Sequence, residues 1–200
     1  MAKKSVTDLQ VEGKKVIVRV DFNVPHKGSE ITDDTRIRAA LPTISYLVLL
    51  SHLGKVNHKD PEKTEADKAK NDMSIVATRL QELMPNSKVT FVNATRGAEL
   101  EAAVADCKEG DIVLMQNTRY EKGESKNNPE LAKEWASYVD GFVMDAFGRA
   151  HRAHASTYGV PEVLKAEGKP VALGYLMEKE VKNLGACVEG SEHPYIAILG

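Results

Sequence analysis

Short β-branched runs bounded by polar residues recur along this chain, separated by stretches whose apolar positions fall at helical spacing. Lys15–Val20 reads as a buried strand. Asp33-Asp34-Thr35 supplies capping chemistry for a helix expected from about Arg36 to Tyr46. Val48–Leu50 reads as a second strand, ending at Ser51-His52. Residues 55–72 are polar and charged with Pro61 inside, and read as a loop or frayed insertion. Ser74 is expected to cap a helix bearing Ile75, Val76, Leu80 and Leu83, which Pro85-Asn86 stops. Val89–Val92 is then a third strand, Ala98–Ala105 a short helix and Ile112–Met115 a fourth strand. Asn128-Pro129 opens a helix with proline in its first turn, carrying Leu131, Trp135 and Val139. Phe142–Met144 is a fifth strand, Tyr175–Leu184 a helix, and Tyr195–Leu199 a strand meeting Gly200.

Strands alternating with helices at this spacing predict an α/β fold, a Rossmann-like parallel sheet with helices on both faces. No internal repeat or low-complexity tract interrupts it. A buried-type strand with nothing after it is an odd place for a domain to finish, so residues 191–200 read as the start of a second α/β domain and the chain as cut.

Open parallel sheets bind ligands beyond the carboxyl ends of their strands. The residues there are Asp21 and Asn23, with Arg36 and Arg38 on the following helix; His52 and Lys55; Asn93 and Arg96; Asn117 and Arg119; and Asp145, Arg149, His151, Arg152 and His154. Arginine's rigid fork suits phosphate and carboxylate oxygens, so this edge points to a small, multiply charged anion. Plainer roles compete. Asp33 and Asp34 fit helix capping better than acid catalysis. His151 and His154 could be metal ligands on a helix face, but no third ligand is suitably spaced, which favours a phosphate-facing or structural role. Gly54 and Gly148 suit turns or close backbone approach.

Composition narrows the class. Over 200 residues, 42% are hydrophobic and 28% charged, the balance of an ordinary globular domain. The net charge of −2 gives no bulk field for nucleic acid, so anion binding must rest on local clusters. Cys107 and Cys187 form no CxxC pair and read as packing residues in a reducing, cytoplasmic setting. No secretory signal and no run of membrane-spanning length is visible. No GxxxxGK[ST] follows any strand and no GxGxxG follows the first, which disfavours a Rossmann-type dehydrogenase and leaves no recognisable nucleotide-phosphate loop.

VRVDFNVP (Val18–Pro25), ITDDTRIRAALPTI (Ile31–Ile44), SHLGK (Ser51–Lys55), DAFGRAHRAHAST (Asp145–Thr157) and YLMEKE (Tyr175–Glu180) together closely resemble phosphoglycerate kinases. The resemblance covers the first half of such an enzyme. It implies phosphoryl transfer between ATP and the carboxylate of 3-phosphoglycerate, as in glycolysis and gluconeogenesis. It also implies a substrate-binding domain over 1–172, an interdomain helix and linker over 173–190, and over 191–200 the first strand of a nucleotide domain. Mg-ATP or Mg-ADP would bind to that second domain, with no nucleotide or metal site in these residues and a monomeric enzyme expected. On the same resemblance Arg36 is the catalytic arginine, and Asp21, Phe22, Asn23, Arg36, His52, Leu53, Gly54, Lys55, Arg119 and Arg152 bind substrate, with His151 and His154 as further basic contacts. The chain alone would bind substrate without transferring phosphate; the alternative is a non-catalytic anion-binding module.

Departures are visible too. Lys55 and Val56 stand where the family usually has arginine and proline, and lysine loses the bidentate fork. Gln116 and Thr118 replace the usual glutamate and leucine, and Met144 and Arg149 the usual asparagine and threonine. Between Tyr46 and Ser51 the expected glycine-containing turn is missing, some seven residues short of the family pattern (a helix needs about two to six residues to return into a parallel strand). Residues omitted from the chain are the favoured explanation.

Overall fold

The computed structural model describes residues 4–10, 13–44, 47–189 and 196. Its centre is a six-stranded parallel sheet in the order β5-β6-β4-β1-β7-β8. The strands are β1 (Val16–Arg19), β4 (Leu47–Leu50), β5 (Val89–Val92), β6 (Ile112–Met115), β7 (Gly141–Met144) and β8 (Val171–Leu173). Two further two-residue strands, β2 (His26–Lys27) and β3 (Glu30–Ile31), form a small antiparallel hairpin. β1 lies between β4 and β7 in register, so Arg19, Leu50 and Met144 sit side by side at the carboxyl edge.

Alternation along the strands divides the core in two. Ile17, Val48, Val113 and Phe142 face one cluster, completed by Leu131 and Trp135 of α5 (Pro129–Ser137), Leu100 of α4 (Ala98–Asp106) and Leu164 of α6 (Val160–Ala166). Val16, Val18, Leu49 and Leu114 face the other, with Ile37 of α1 (Thr35–Ala40) and Val76 and Leu80 of α3 (Ser74–Leu83). Strands buried on both faces carry near-continuous apolar runs, which is why β1, β4, β6 and β7 were legible.

Several expectations need correction. The first helix stops at Ala40 and tightens into a 3₁₀ turn over Leu41–Thr43, with Pro42 inside it, instead of running on to Tyr46. Tyr46 lies outside the described residues, as do 191–195 and 197–200, on which the last strand was expected. Residues 61–70 are a helix, α2 (Pro61–Lys70), in place of the expected loop. Its Asp60 carboxylate accepts from the N–H groups of Glu62 and Lys63, and Pro61 occupies the first turn, where its missing N–H costs nothing. Ser74 does not cap α3: Met73 holds that place, and the Asp72 carboxylate accepts from the Ser74 N–H at 2.7 Å. Asp34 makes no cap bond to α1; Asp33 accepts the Thr35 N–H at 2.8 Å, and Asp34 instead pairs with Arg38 and Arg79. The final helix, α7 (Tyr175–Glu189), extends beyond Leu184.

Candidate functional site

Past β1 the chain turns sharply through Asp21-Phe22-Asn23. Asp21 Oδ2 accepts from Arg36 Nη1 at 2.9 Å, tethering an arginine side chain that stays 51% exposed. Asn23 Oδ1 accepts the N–H of Gly54 at 2.8 Å, joining the loop after β1 to the loop after β4. Phe22 and Leu53 have their side chains buried in the core. Their backbone donors are also taken, that of Phe22 by Ser51 Oγ at 2.8 Å and that of Leu53 by Asn117 Oδ1 at 3.3 Å. These two residues shape the loops from beneath.

His52 is buried at the end of β4, its Nδ1 3.1 Å from Nη2 of Arg19 and its Nε2 buried without a partner. Burial, then the charges of Arg19, Arg149, Arg119 and His154, depress its pKa far below the usual histidine range. His154 behaves alike: burial, then Arg119, Arg19, Arg152 and Arg149, lower its pKa to about 4. Two neutral imidazoles therefore sit among arginines.

Arg119 follows β6 in a short 3₁₀ turn whose backbone is held by Asn117. Its own pKa is lowered, by burial first and then by Arg149. Arg152 is exposed, its Nε 3.1 Å from His151 Nε2. Lys55 is also exposed, with its carbonyl accepting from Asn71 Nδ2 at 2.9 Å. Among the described residues Arg119, Arg149 and Arg152 make no ion pair, whereas Arg38, Arg79 and Arg96 are each bound to a carboxylate. Arg96 belongs to Glu134 and leaves the anion-binding set proposed from strand ends. Asn93 and Asn117 are occupied structurally too: Asn93 accepts from Gln116 Nε2, and Asn117 Nδ2 donates to Leu53 and Asn71 carbonyls.

Sequence reasoning missed the floor of this cluster. Arg19 is 1% exposed and donates through Nε to Ser156 Oγ at 2.8 Å. Ser156 donates through Oγ to Glu124 Oε1 at 2.5 Å and through its N–H to Oε2 at 2.9 Å. The available signal was an arginine inside the apolar run KVIVRV, at a position where a strand residue is buried. Among the described residues no group of three or more His, Cys, Asp or Glu is disposed to hold a metal ion, and no helix is long and apolar enough to cross a membrane.

Cations and histidines thus gather at the sheet's carboxyl edge. The family model described as phosphoglycerate kinase matches residues 6–200. A phosphoglycerate kinase of Lactobacillus johnsonii is 50% identical over 214 aligned residues, covering 100% of this chain and 51% of that protein. That of Lacticaseibacillus casei is 54% identical over 211, covering 100% and 50%. Both alignments are longer than the 200 residues here, so they open gaps in this chain. The chain spans about half the length of the curated relatives it matches. Among solved structures, phosphoglycerate kinase from Coxiella burnetii superposes with a TM-score of 0.77 at 36% identity, over 96% of this chain and 47% of that one. The enzyme from Pyrococcus horikoshii gives 0.79 at 28% identity, over 96% and 47%. Sequence match and backbone superposition agree over nearly the whole chain, which belongs to the phosphoglycerate kinase family.

Proposed function

We propose that this chain is the acidic-substrate half of a phosphoglycerate kinase and that its strand-end cluster binds 3-phosphoglycerate. One observation carries the reading: among the described residues Arg119, Arg149 and Arg152 lack carboxylate partners at a single edge, in a molecule whose net charge is −2. A phosphate there would neutralise arginine charges that repel one another and that Glu124 offsets in part. Arg119 and Arg152 with neutral His52 would clamp the phosphate, with Lys55, His151 and His154 at its rim. Asp21, Asn23 and Arg36 would hold the glycerate end.

In the transfer, the substrate carboxylate oxygen forms a bond to the terminal phosphorus of ATP as the bond to the ADP oxygen breaks, giving 1,3-bisphosphoglycerate and ADP. Two anions must approach, so positioning and charge neutralisation carry the catalysis. Arg36, tethered through one nitrogen to Asp21, keeps its remaining donors for the carboxylate and the passing phosphoryl group. Mg-nucleotide is assigned to a domain outside residues 1–172, with α7 as connector and closure about it excluding water. The cytoplasm, where glycolytic phosphates are found, is the compartment this reading requires.

Titration calorimetry of the chain with 3-phosphoglycerate at low salt tests the reading. Saturable one-to-one binding that weakens as salt rises is expected. A folded sample giving no binding heat would overturn it.

A further inference from the structure

Arg19 is a buried guanidinium with every acceptor it touches accounted for: Ser156 Oγ on Nε, the Val20 carbonyl on Nη1 and His52 Nδ1 on Nη2. Burial pushes its pKa down, while Glu124 and Asp21 pull it back up. Guanidinium has donors only, so the His52 nitrogen facing it has to accept. An imidazolium would present N–H to N–H across that contact. The imidazole's own proton is thereby assigned to Nε2, which is buried and unpartnered. A buried donor without an acceptor is costly and rare, and marks a place where something else supplies the acceptor.

We infer that Arg19, aligned by Ser156 and Glu124, is a positioning residue that locks His52 as a neutral imidazole with its proton on Nε2, the uncharged donor of the phosphate site. The chain Glu124–Ser156–Arg19–His52 links four residues from four segments, each no more than 1% exposed. Glu124 supplies the countercharge, and Ser156 passes it on by donating to Glu124 while accepting from Arg19. The charged groups acting on His52 from the surrounding elements are Arg19, Arg149 and Arg119, with the titratable ring of His154 beside them, all opposing its protonation. The lock matters because arginines already crowd the site. A histidine that cannot charge donates with constant strength, so the pH dependence of phosphate binding follows the ligand's own ionisation.

The kinetic value of the lock rests on the reading of this edge as a 3-phosphoglycerate site, but the lock itself is testable without substrate. Long-range ¹H–¹⁵N spectra of the histidine rings in wild-type protein should show His52 as the Nε2–H tautomer throughout pH 8 to 5. An Nδ1–H tautomer, or imidazolium growing in over that range, would overturn the inference. Ser156→Ala removes the acceptor from Arg19 Nε yet leaves Glu124 the backbone N–H it already holds. It should mix the two tautomers and weaken 3-phosphoglycerate binding about fivefold or more. Arg19→Lys should not restore a single tautomer, since one ammonium cannot reach Ser156 and His52 in the same fixed geometry. Ser156→Ala with tautomer and affinity both unchanged would show a merely structural chain and sink the idea. Should either variant fail to fold, the wild-type spectra alone decide the lock. Wild type holding one tautomer while ignoring 3-phosphoglycerate would leave the lock standing and remove the proposed substrate.

Discussion

Arg36 Nη1 lies 2.9 Å from Asp21 Oδ2, joining the start of α1 to the loop beyond β1. The pair is exposed on the arginine side, 51% against 14% for the aspartate, so it orients more than it stabilises. On the function proposed above, Arg36→Ala in a kinase containing this chain should lower kcat by about two to three decades, because that reading makes the charge matter most while the phosphoryl group passes between oxygens. Arg152→Ala, losing a phosphate contact that the same reading places before and during transfer, should mainly raise KM for 3-phosphoglycerate, by about 1.5–3 kcal/mol of binding. Steady-state kinetics on both variants checks this. Arg36→Ala with kcat near wild type would remove Arg36 from catalysis.

His154 provides a pH test of the cluster. Its folded pKa is about 4 against an ordinary 6.5, so on acidification the unfolded chain takes the proton first. The group's contribution is complete above pH 6.5 and is lost as pH falls toward about 4. Between pH 7 and 4.5, wild type should lose about 1–3 kcal/mol more stability than His154→Gln, read from urea melts at each pH. Parallel acid limbs in the two proteins would contradict the burial of an uncharged His154.

Gly54 holds a left-handed turn with φ +57°, and a Cβ there would fall 2.0 Å from Asn71 Oδ1. Asn71 cannot swing aside freely, because its Nδ2 donates to the carbonyls of Lys55 and Asp67 at 2.9 and 2.8 Å. Gly54→Ala should therefore cost about 2–4 kcal/mol in chemical denaturation and loosen the Asn23 bond to this loop. A change under about 0.5 kcal/mol would mean the turn relaxes at little cost.

These residues also mark where sequence pattern suffices. Val16–Val18, Val48–Leu50 and Ile112–Met115 are apolar on both faces, and only a covered parallel sheet accepts such runs. The helix at Pro61–Lys70 was hidden because none of its residues is buried, so no apolar stripe reports it; only Asp60 and Pro61, as cap and first turn, do. Strands β2 and β3, at two residues each, are too short for any periodicity. At the site, exposed basic residues beyond strand ends were legible by type and place. The support was not: Arg19, Glu124 and Ser156 meet from positions far apart in sequence, and Phe22 and Leu53 turn inward, which side-chain direction alone decides. By type and place Arg96 is equivalent to Arg119, and only the fold reveals that Glu134 claims it.

Asp145 closes β7 and caps a helix to which it does not belong. Its Oδ1 accepts the N–H groups of Leu176 and Met177 at 2.9 and 3.2 Å, serving the first turn of α7, while Oδ2 is buried and unpartnered. Gly174 permits the approach, since a Cβ there would lie 2.3 Å from Oδ1. Burial raises the Asp145 pKa, and the Thr43 hydroxyl with the Met177 and Leu176 N–H groups pulls it partly back. For an acid raised above its unfolded value of 3.8, the folded state holds the proton longer, so this group's contribution falls as pH rises through that window. Asp145→Asn keeps the accepting oxygen and removes the buried charge. It should stay within about 1 kcal/mol of wild type at pH 7, and its stability relative to wild type should decline as pH drops through the window. Asp145→Ala strands two helix N–H groups and should cost about 1–3 kcal/mol. Urea melts at pH 7 and pH 4.5, with helix content followed by circular dichroism, separate the two variants. If Asn and Ala cost the same at both pH values, the carboxylate is not the cap of α7, and the link from the strand edge to this helix runs through packing alone.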